Sequence, residues 1–345
     1  QDSCSDHPTT AGYDTGMRTA KEAEAPEMIR SRADWERLLR MRFGMKASES
    51  PCSWPVRRIR ATIARRFPVF TRARVTVLRR AHNLVVEVDR TFVFKFPWHP
   101  KADCMREIAI LKALRGKLGV AIPMPVFVGP RGRFFGAPLP PGLRPGVVDA
   151  RRGSGGRRAA LARDLARLCA SVQRAIRPGL RGRIMGPRTV PAVADVDRTA
   201  QAFRRIFTRE WNLLAESRRL FDDYRKRVSG LRAGNLRIVG FDLQLDNLLV
   251  DRDGRLVGAV DFGYLTWRDA PGLFGLLSKD DPELARMAMK AFASYTGTRL
   301  DPRQAETDGL FDVLSYLVEL STNRWDLAAR RREFVGIAKR GLRSR

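Results

Sequence analysis

Gly240 to Asp269 reads GFDLQLDNLLVDRDGRLVGAVDFGYLTWRD. Asn247 to Val250 and Leu256 to Val260 are short apolar runs, separated by Asp251-Arg252-Asp253-Gly254. A Gly-closed turn between two such runs predicts a β-hairpin. With the turn centred on Arg252 and Asp253, Asp261 falls across the ladder from roughly Gln244, and the loop holding Asp242 and Asn247 faces the segment holding Asp261. One short piece of chain therefore gathers three side chains able to accept a proton or hold a cation.

Taken singly, Asp and Asn in such positions are ordinary turn and surface residues. The joint pattern of an Asp, an Asn five residues later, a hairpin and Asp-Phe-Gly is far more specific. It suits phosphoryl transfer, which needs a carboxylate to accept the proton of an attacking hydroxyl and hard oxygen ligands to hold Mg²⁺ against nucleotide phosphates. On this reading Asp242 is the base, and Asn247 and Asp261 are the Mg²⁺ ligands.

The stretch resembles the catalytic loop and metal-binding segment of small-molecule kinases of the aminoglycoside phosphotransferase and choline-kinase-like family, where the pattern is near HGDLHPGN followed by IDFG. Here it is GFDLQLDN and VDFG, so the Asp, the Asn and the second Asp match. The departure is Gly240, where relatives usually have a His that braces the loop. The resemblance implies an α+β, two-lobed, protein-kinase-like fold. Its small N-terminal lobe is an antiparallel sheet with one key helix, and its larger C-terminal lobe is mainly helical. It also implies ATP or GTP with Mg²⁺ as cofactors and a small-molecule hydroxyl as acceptor. Between Asp261 and the next predicted helix there is no Ala-Pro-Glu motif, which speaks against a eukaryotic-type protein kinase.

Upstream, Arg74 to Arg80, Leu84 to Val88 and Thr91 to Phe96 read as three consecutive strands. Strand alternation puts Lys95 on one face with Thr91 and Val93, and Phe92, Phe94 and Phe96 on the other. A buried ammonium requires an anion. The helix expected over Cys104 to Leu118 supplies one, because Glu107, Leu111, Leu114 and Leu118 share a face. The pair resembles the strand lysine and helix glutamate that orient nucleotide phosphates in kinases. Between the first two strands the chain has Arg79-Arg80-Ala81-His82-Asn83 in place of a glycine-rich loop. Asn83 fits the family there, and Arg80 and His82 read as ordinary loop residues.

A hairpin is expected over Ile122 to Val128 and Arg133 to Ala137. The Pro- and Gly-rich run that follows marks a hinge, placed at 139–145. In the family, backbone groups near Gly136 to Leu139 meet adenine. Residues 1–25 read as a disordered tail, 26–69 as a helical extension with helices near Glu27 to Phe43 and Val56 to Phe67, 70–138 as the N-lobe and 146–345 as the C-lobe. The C-lobe helices are expected from Arg158, over Val196 to Val228, Pro282 to Tyr295, Arg303 to Leu320 and Asp326 to Leu342. Asp269 is read either as a brace of the metal-binding segment or as a helix N-cap.

The 345 residues suffice for a two-lobed enzyme, and the net charge of +28 attracts anionic ligands such as nucleotides and nonspecific nucleic acid. That charge opposes a polycationic acceptor, for which Asp280, Asp281, Glu283 and Glu319 are the acidic candidates. A sugar, an amino alcohol or a macrolide fits as well. Four scattered cysteines form no zinc pattern or disulfide framework, no apolar run is long enough for a membrane span, and a cytoplasmic location is the default. Met17 offers an alternative start to Gln1. A second reading is a nucleotide-binding protein of the same fold with little catalysis, acting as a regulatory or interaction module.

Overall fold

Phenylalanine at alternate positions of a strand builds a sheet face, and the chain uses this at Phe92, Phe94 and Phe96. The structure is a computed structural model that describes residues 51, 54–80, 83–97, 104–142, 155–176, 184–185, 190–208, 211–322, 335–339 and 341–342. A first helix, α1 (Val56–Arg66), precedes three strands, β1 (Val75–Arg80), β2 (Asn83–Val88) and β3 (Phe92–Pro97). After helix α2 (Met105–Leu114) come β4 (Phe127–Val128) and β5 (Phe135–Pro138). The five strands form one antiparallel sheet in the order β1-β2-β3-β5-β4.

The β2–β3 connection is the three residues Asp89, Arg90 and Thr91, the first two left-handed, with φ of 52° and 56°. That is the conformation a tight hairpin needs to match strand twist. Phe70 meets Phe94 edge to face at 5.4 Å, and Phe96 stacks on Phe134 at 4.8 Å. Ile59 and Ile63, one helical turn apart on α1, are fully buried in the same cluster. Lys95 stands on the other face of β3, half-buried, opposite Val85 and Phe135.

The remaining elements are α3 (Gly155–Ala175), α4 (Val193–Ile206), α5 (Trp211–Gly230), β6 (Ile238–Gly240), β7 (Leu248–Val250), β8 (Leu256–Ala259), β9 (Thr266–Arg268), α6 (Gly275–Asp280), α7 (Pro282–Thr296) and α8 (Pro302–Thr322). Two compact units result. The first contains α1 and β1–β5, and the second contains α2 from Arg106 onward, α3–α7, β6–β9 and α8 as far as Ser315. The expected stripe Leu161, Leu165, Leu168, Val172 and Ile176 is buried along α3, which packs on α7.

Several expectations change in detail. The α2 helix stops at Leu114 rather than Leu118, because the chain turns left-handed at Gly116, with φ of 68°. The hairpin expected over Ile122 to Ala137 is only two residue pairs long, Phe127 with Gly136 and Val128 with Phe135. Upstream of it, Ala121 instead bridges Gly258 of β8. The helix near Glu27 to Phe43, the tail 1–25 and residues 143–145 of the hinge lie outside the described residues, as do His82 and most of Asp326 to Leu342. Among the described residues no helix is long and apolar enough to cross a membrane, and Cys104 and Cys169 are buried and not in a disulfide.

Candidate active site

The Gly240–Asp269 stretch and the strand before it are held by α3. Gln173 donates to the Val239 carbonyl and accepts from the Val239 amide, both at 2.7 Å, so one side chain fills the open edge of β6. Asp164, on the same helix, accepts from Arg255 Nε at 2.7 Å and Nη2 at 2.9 Å, fixing the tip of the β7–β8 hairpin. That tip is longer than a two-residue turn. Asp251 Oδ1 accepts the amides of Asp253 and Arg255, and Gly254 is left-handed at φ 77°. The register then runs Leu248 with Ala259 and Leu249 with Gly258, and Val260 donates to the Asn247 carbonyl at 2.9 Å. Asp261 is therefore brought beside Asp246 and Asn247 rather than opposite Gln244.

Asp242, Asn247 and Asp261 form one cluster. Asn247 Nδ2 donates to Asp242 Oδ2 at 2.9 Å and to the Asp242 carbonyl at 3.0 Å. Two acceptors around Nδ2 fix the amide's orientation. Gln244 Nε2 donates to Asp242 Oδ1 at 2.5 Å. Burial, and then the charge of Asp261, push the Asp242 carboxyl up to about 6, against the hydrogen bonds from Gln244 and Asn247 and the charge of Lys279. Asp261 sits at φ 63°, a left-handed conformation that costs a non-glycine residue energy and recurs at functional sites. On either side of the carboxylates, Phe241 and Phe262 stack at 5.5 Å.

Glu107 joins the same cluster. It is 6 % exposed on the apolar face of α2 with Leu111 and Leu114, and its Oε2 lies 3.1 Å from where a Cβ on Gly263 would stand. The neighbouring Arg106 donates to the carbonyls of Ile184 and of Leu265, the latter two residues beyond the Asp-Phe-Gly segment. Asn83 opens β2 opposite Pro97, half-buried. Asn83 and Lys95 belong to the first unit, and Asp242, Asn247, Asp261 and Glu107 to the second.

Sequence reasoning missed Lys279 and Asp312, which reach this cluster from other helices, and read Asp280 only as an acidic candidate for a cationic acceptor. On α6, Lys279 Nζ reaches Gln244 Oε1 at 3.4 Å, and Asp280 Oδ2 accepts the Leu245 amide at 2.9 Å. From α8 comes Asp312, whose carboxyl burial pushes up to about 6, drawn back by Arg268 and Lys279 and raised further by Asp308 and Asp242. Gly309 allows this approach, since a Cβ there would overlap the Gly275 carbonyl of α6. Asp308 and Asp312 lie one helical turn apart on α8, and two carboxylates at that spacing among buried apolar neighbours were the available signal.

Asp269 is a brace. Its Oδ2 takes Arg227 Nη1 at 2.7 Å, while Arg227 Nε and Nη2 hold Asp308 at 2.7 and 2.5 Å, and the short helix that follows has no side-chain cap. The acidic candidates for a cationic acceptor are used differently. Asp281 caps α7 through the Leu284 amide and pairs with Arg158, which also holds Glu283. The side chain of Glu319 lies outside the described residues.

The family model for the phosphotransferase enzyme family matches residues 75–270, and the chain belongs to that family. Its fold is the kinase-like fold that family has. Solved structures of similar fold include the GDP complex of wild-type aminoglycoside 2'-phosphotransferase-IIIa, 22% identical with a TM-score of 0.61, covering 83% of this chain and 98% of that one. Macrolide 2'-phosphotransferase type I is 17% identical with a TM-score of 0.53, covering 81% of this chain and 96% of that one. The streptomycin and ATP ternary complex of APH(2'')-IIa is 18% identical with a TM-score of 0.53, covering 81% and 95%. No curated protein matches the chain.

Proposed function

We propose that the protein transfers the γ-phosphoryl group of ATP or GTP to a hydroxyl of a small molecule, with Asp242 as the base. The observation that carries this is the Asp242, Asn247 and Asp261 cluster: a half-buried carboxylate whose proton affinity is raised, hydrogen-bonded to the Asn247 amide and set beside a second carboxylate. A base serves best when its proton affinity lies near the working pH. In the transfer the acceptor hydroxyl oxygen bonds to the γ-phosphorus, the bond from that phosphorus to the β-bridging oxygen breaks, and the hydroxyl proton passes to Asp242.

The donor set fits Mg²⁺. Asn247 Oδ1 and the Asp261 carboxylate are hard oxygens, the ligand type of an ion that fills its other positions with water and phosphate oxygens. When bound, Mg²⁺ supplies charge neutralisation on the phosphates. Gln244 and Asn247 orient the Asp242 carboxylate, Lys279 holds Gln244, and Asp280 pins the turn at Leu245. We assign Lys95, paired with Glu107, and Asn83 to the nucleotide phosphates on the family resemblance. The division into N-lobe, hinge at 139–145 and C-lobe rests on the same resemblance.

The test is phosphotransfer from Mg–ATP and Mg–GTP to a panel of aminoglycosides, macrolides, sugars and amino alcohols. Product with any of them that requires Asp242 supports the reading. Nucleotide binding without transfer or hydrolysis contradicts it and favours the regulatory-module alternative.

A further inference from the structure

The loop that carries Asp242 begins at Gly240, and what lies against that glycine is Arg268. Gly240 pairs with Thr266 and Ile238 with Arg268 across the β6–β9 ladder, so Arg268 shares a side of the ribbon with Gly240. A Cβ on Gly240 would overlap Arg268 Cγ and stand 3.3 Å from its Cβ and 3.5 Å from its Cδ. The aliphatic stem therefore lies flat on the Gly240 backbone. It continues past Gly272, where a Cβ would be 3.7 Å from Arg268 Cδ and 3.2 Å from Asp308 Oδ2. At the far end the guanidinium charge acts on Asp312 and Asp308 of α8, and Asp312 in turn senses Asp242.

We propose that Arg268 is a positioning residue for phosphotransfer, clamping the start of the catalytic loop against the carboxylates of α8 so that Asp242 is held at its station. This rests on the reading of Asp242 as the base. Three observations make the clamp more than packing. The β6–β9 pairing ends at Gly240, and the loop's own backbone bonds past it are local, Leu243 to Phe241, Gln244 to Asp242 and Asn247 to Gln244. Asp308 is already held by Arg227 through two hydrogen bonds, so Arg268 is not needed to neutralise it. And the stem requires glycine at 240, the position where this chain departs from the family pattern. The stem and the glycine are two halves of one device.

The experiment compares wild type with Arg268→Ala, Arg268→Lys and the double variant Gly240→His/Arg268→Ala. It reads kcat and nucleotide KM for Mg–ATP turnover, together with amide hydrogen exchange over Phe241–Asn247. Arg268→Ala is expected to lower kcat about 10- to 100-fold, with KM changed less than about twofold, since misplacement of a catalytic group by about 1 Å costs on that order. Exchange at Phe241–Asn247 accelerates while β1–β3 stay protected. Arg268→Lys, which keeps the stem, recovers part of kcat, and so does the double variant, whose imidazole fills the vacated space. The proposal is overturned if Arg268→Ala keeps both kcat and loop protection, or if it loses protection everywhere and neither companion variant recovers turnover. A wild type that turns over no nucleotide overturns the base assignment instead, and loop exchange in Arg268→Ala still decides the clamp.

Discussion

Phe241 and Phe262 stack with ring centroids 5.5 Å apart and planes inclined by 28°. One immediately precedes Asp242 and the other immediately follows Asp261. The two carboxylates repel, as the upward push of Asp261 on Asp242 records, so like charges are held together by apolar packing between their neighbours. Phe262 is fully buried and Phe241 nearly so. Aromatic pairs in this offset geometry contribute on the order of 1 kcal/mol beyond their burial.

Truncating this stack separates stability from rate. Phe262→Ala is expected to cost about 3–5 kcal/mol in urea unfolding. Phe262→Leu keeps most of the volume and costs less, yet lowers kcat by about tenfold because the carboxylate spacing loosens. Equal kcat in Phe262→Leu and wild type would remove the stack from the catalytic account.

Asp242 and Asp312 are both pushed up to about 6, and the sign of the pH dependence follows. Each holds its proton more tightly in the folded than in the unfolded chain, so each favours the fold at low pH and loses that advantage as pH rises from the ordinary Asp range through about 6. Relative to Asp312→Asn, the ligand-free wild type should therefore lose Tm between about pH 4 and about pH 7. Activity runs the other way. A protonated Asp242 cannot accept the hydroxyl proton, so kcat/KM falls on the acid side with a midpoint near 6. A flat acid limb in wild type would contradict the assignment.

Arg227 holds two half-buried carboxylates, Asp269 and Asp308, each 14 % exposed. Arg227→Met leaves both without it and is expected to cost about 3–5 kcal/mol in denaturant unfolding. Adding Asp308→Asn to that variant should recover part of the loss, because one of the stranded charges is gone. A double variant no more stable than Arg227→Met would show that the pair is not what Arg227 stabilises.

The residues of the proposed site were legible as candidates because they lie close together in sequence. Asp242, Asn247 and Asp261 sit within one hairpin, and Glu107 betrays itself as a carboxylate on an apolar helix face. The three N-terminal strands and the α3 stripe were legible for the same reason, since periodicity carries them. What places the loop in space was not. Gln173 reads as one more polar residue on a helix, although it completes the β6 edge. Arg268 reads as a surface arginine in an arginine-rich chain, and only its position over Gly240 gives it a role. The hairpin register slipped because Asp251 folds the tip through its side chain, which adds residues a two-residue turn does not have.

Lys95 and Glu107 offer a test that does not involve the base. If they act as a pair on the nucleotide phosphates, Lys95→Met and Glu107→Gln each raise nucleotide KM about tenfold or more, and the double variant is little worse than either single one. Additive losses would mean that the two act separately.

The most direct measurement is Asp242→Asn, with Mg–nucleotide affinity by calorimetry and turnover by product formation in the same preparation. The substitution keeps the shape and an acceptor for one of the two donors, Gln244 or Asn247, but removes the base. Affinity is expected to stay within about threefold of wild type while kcat falls by about 100-fold or more, the loss general base catalysis commonly accounts for. A variant that binds nucleotide and keeps its turnover would contradict the role of Asp242 and with it the proposed mechanism.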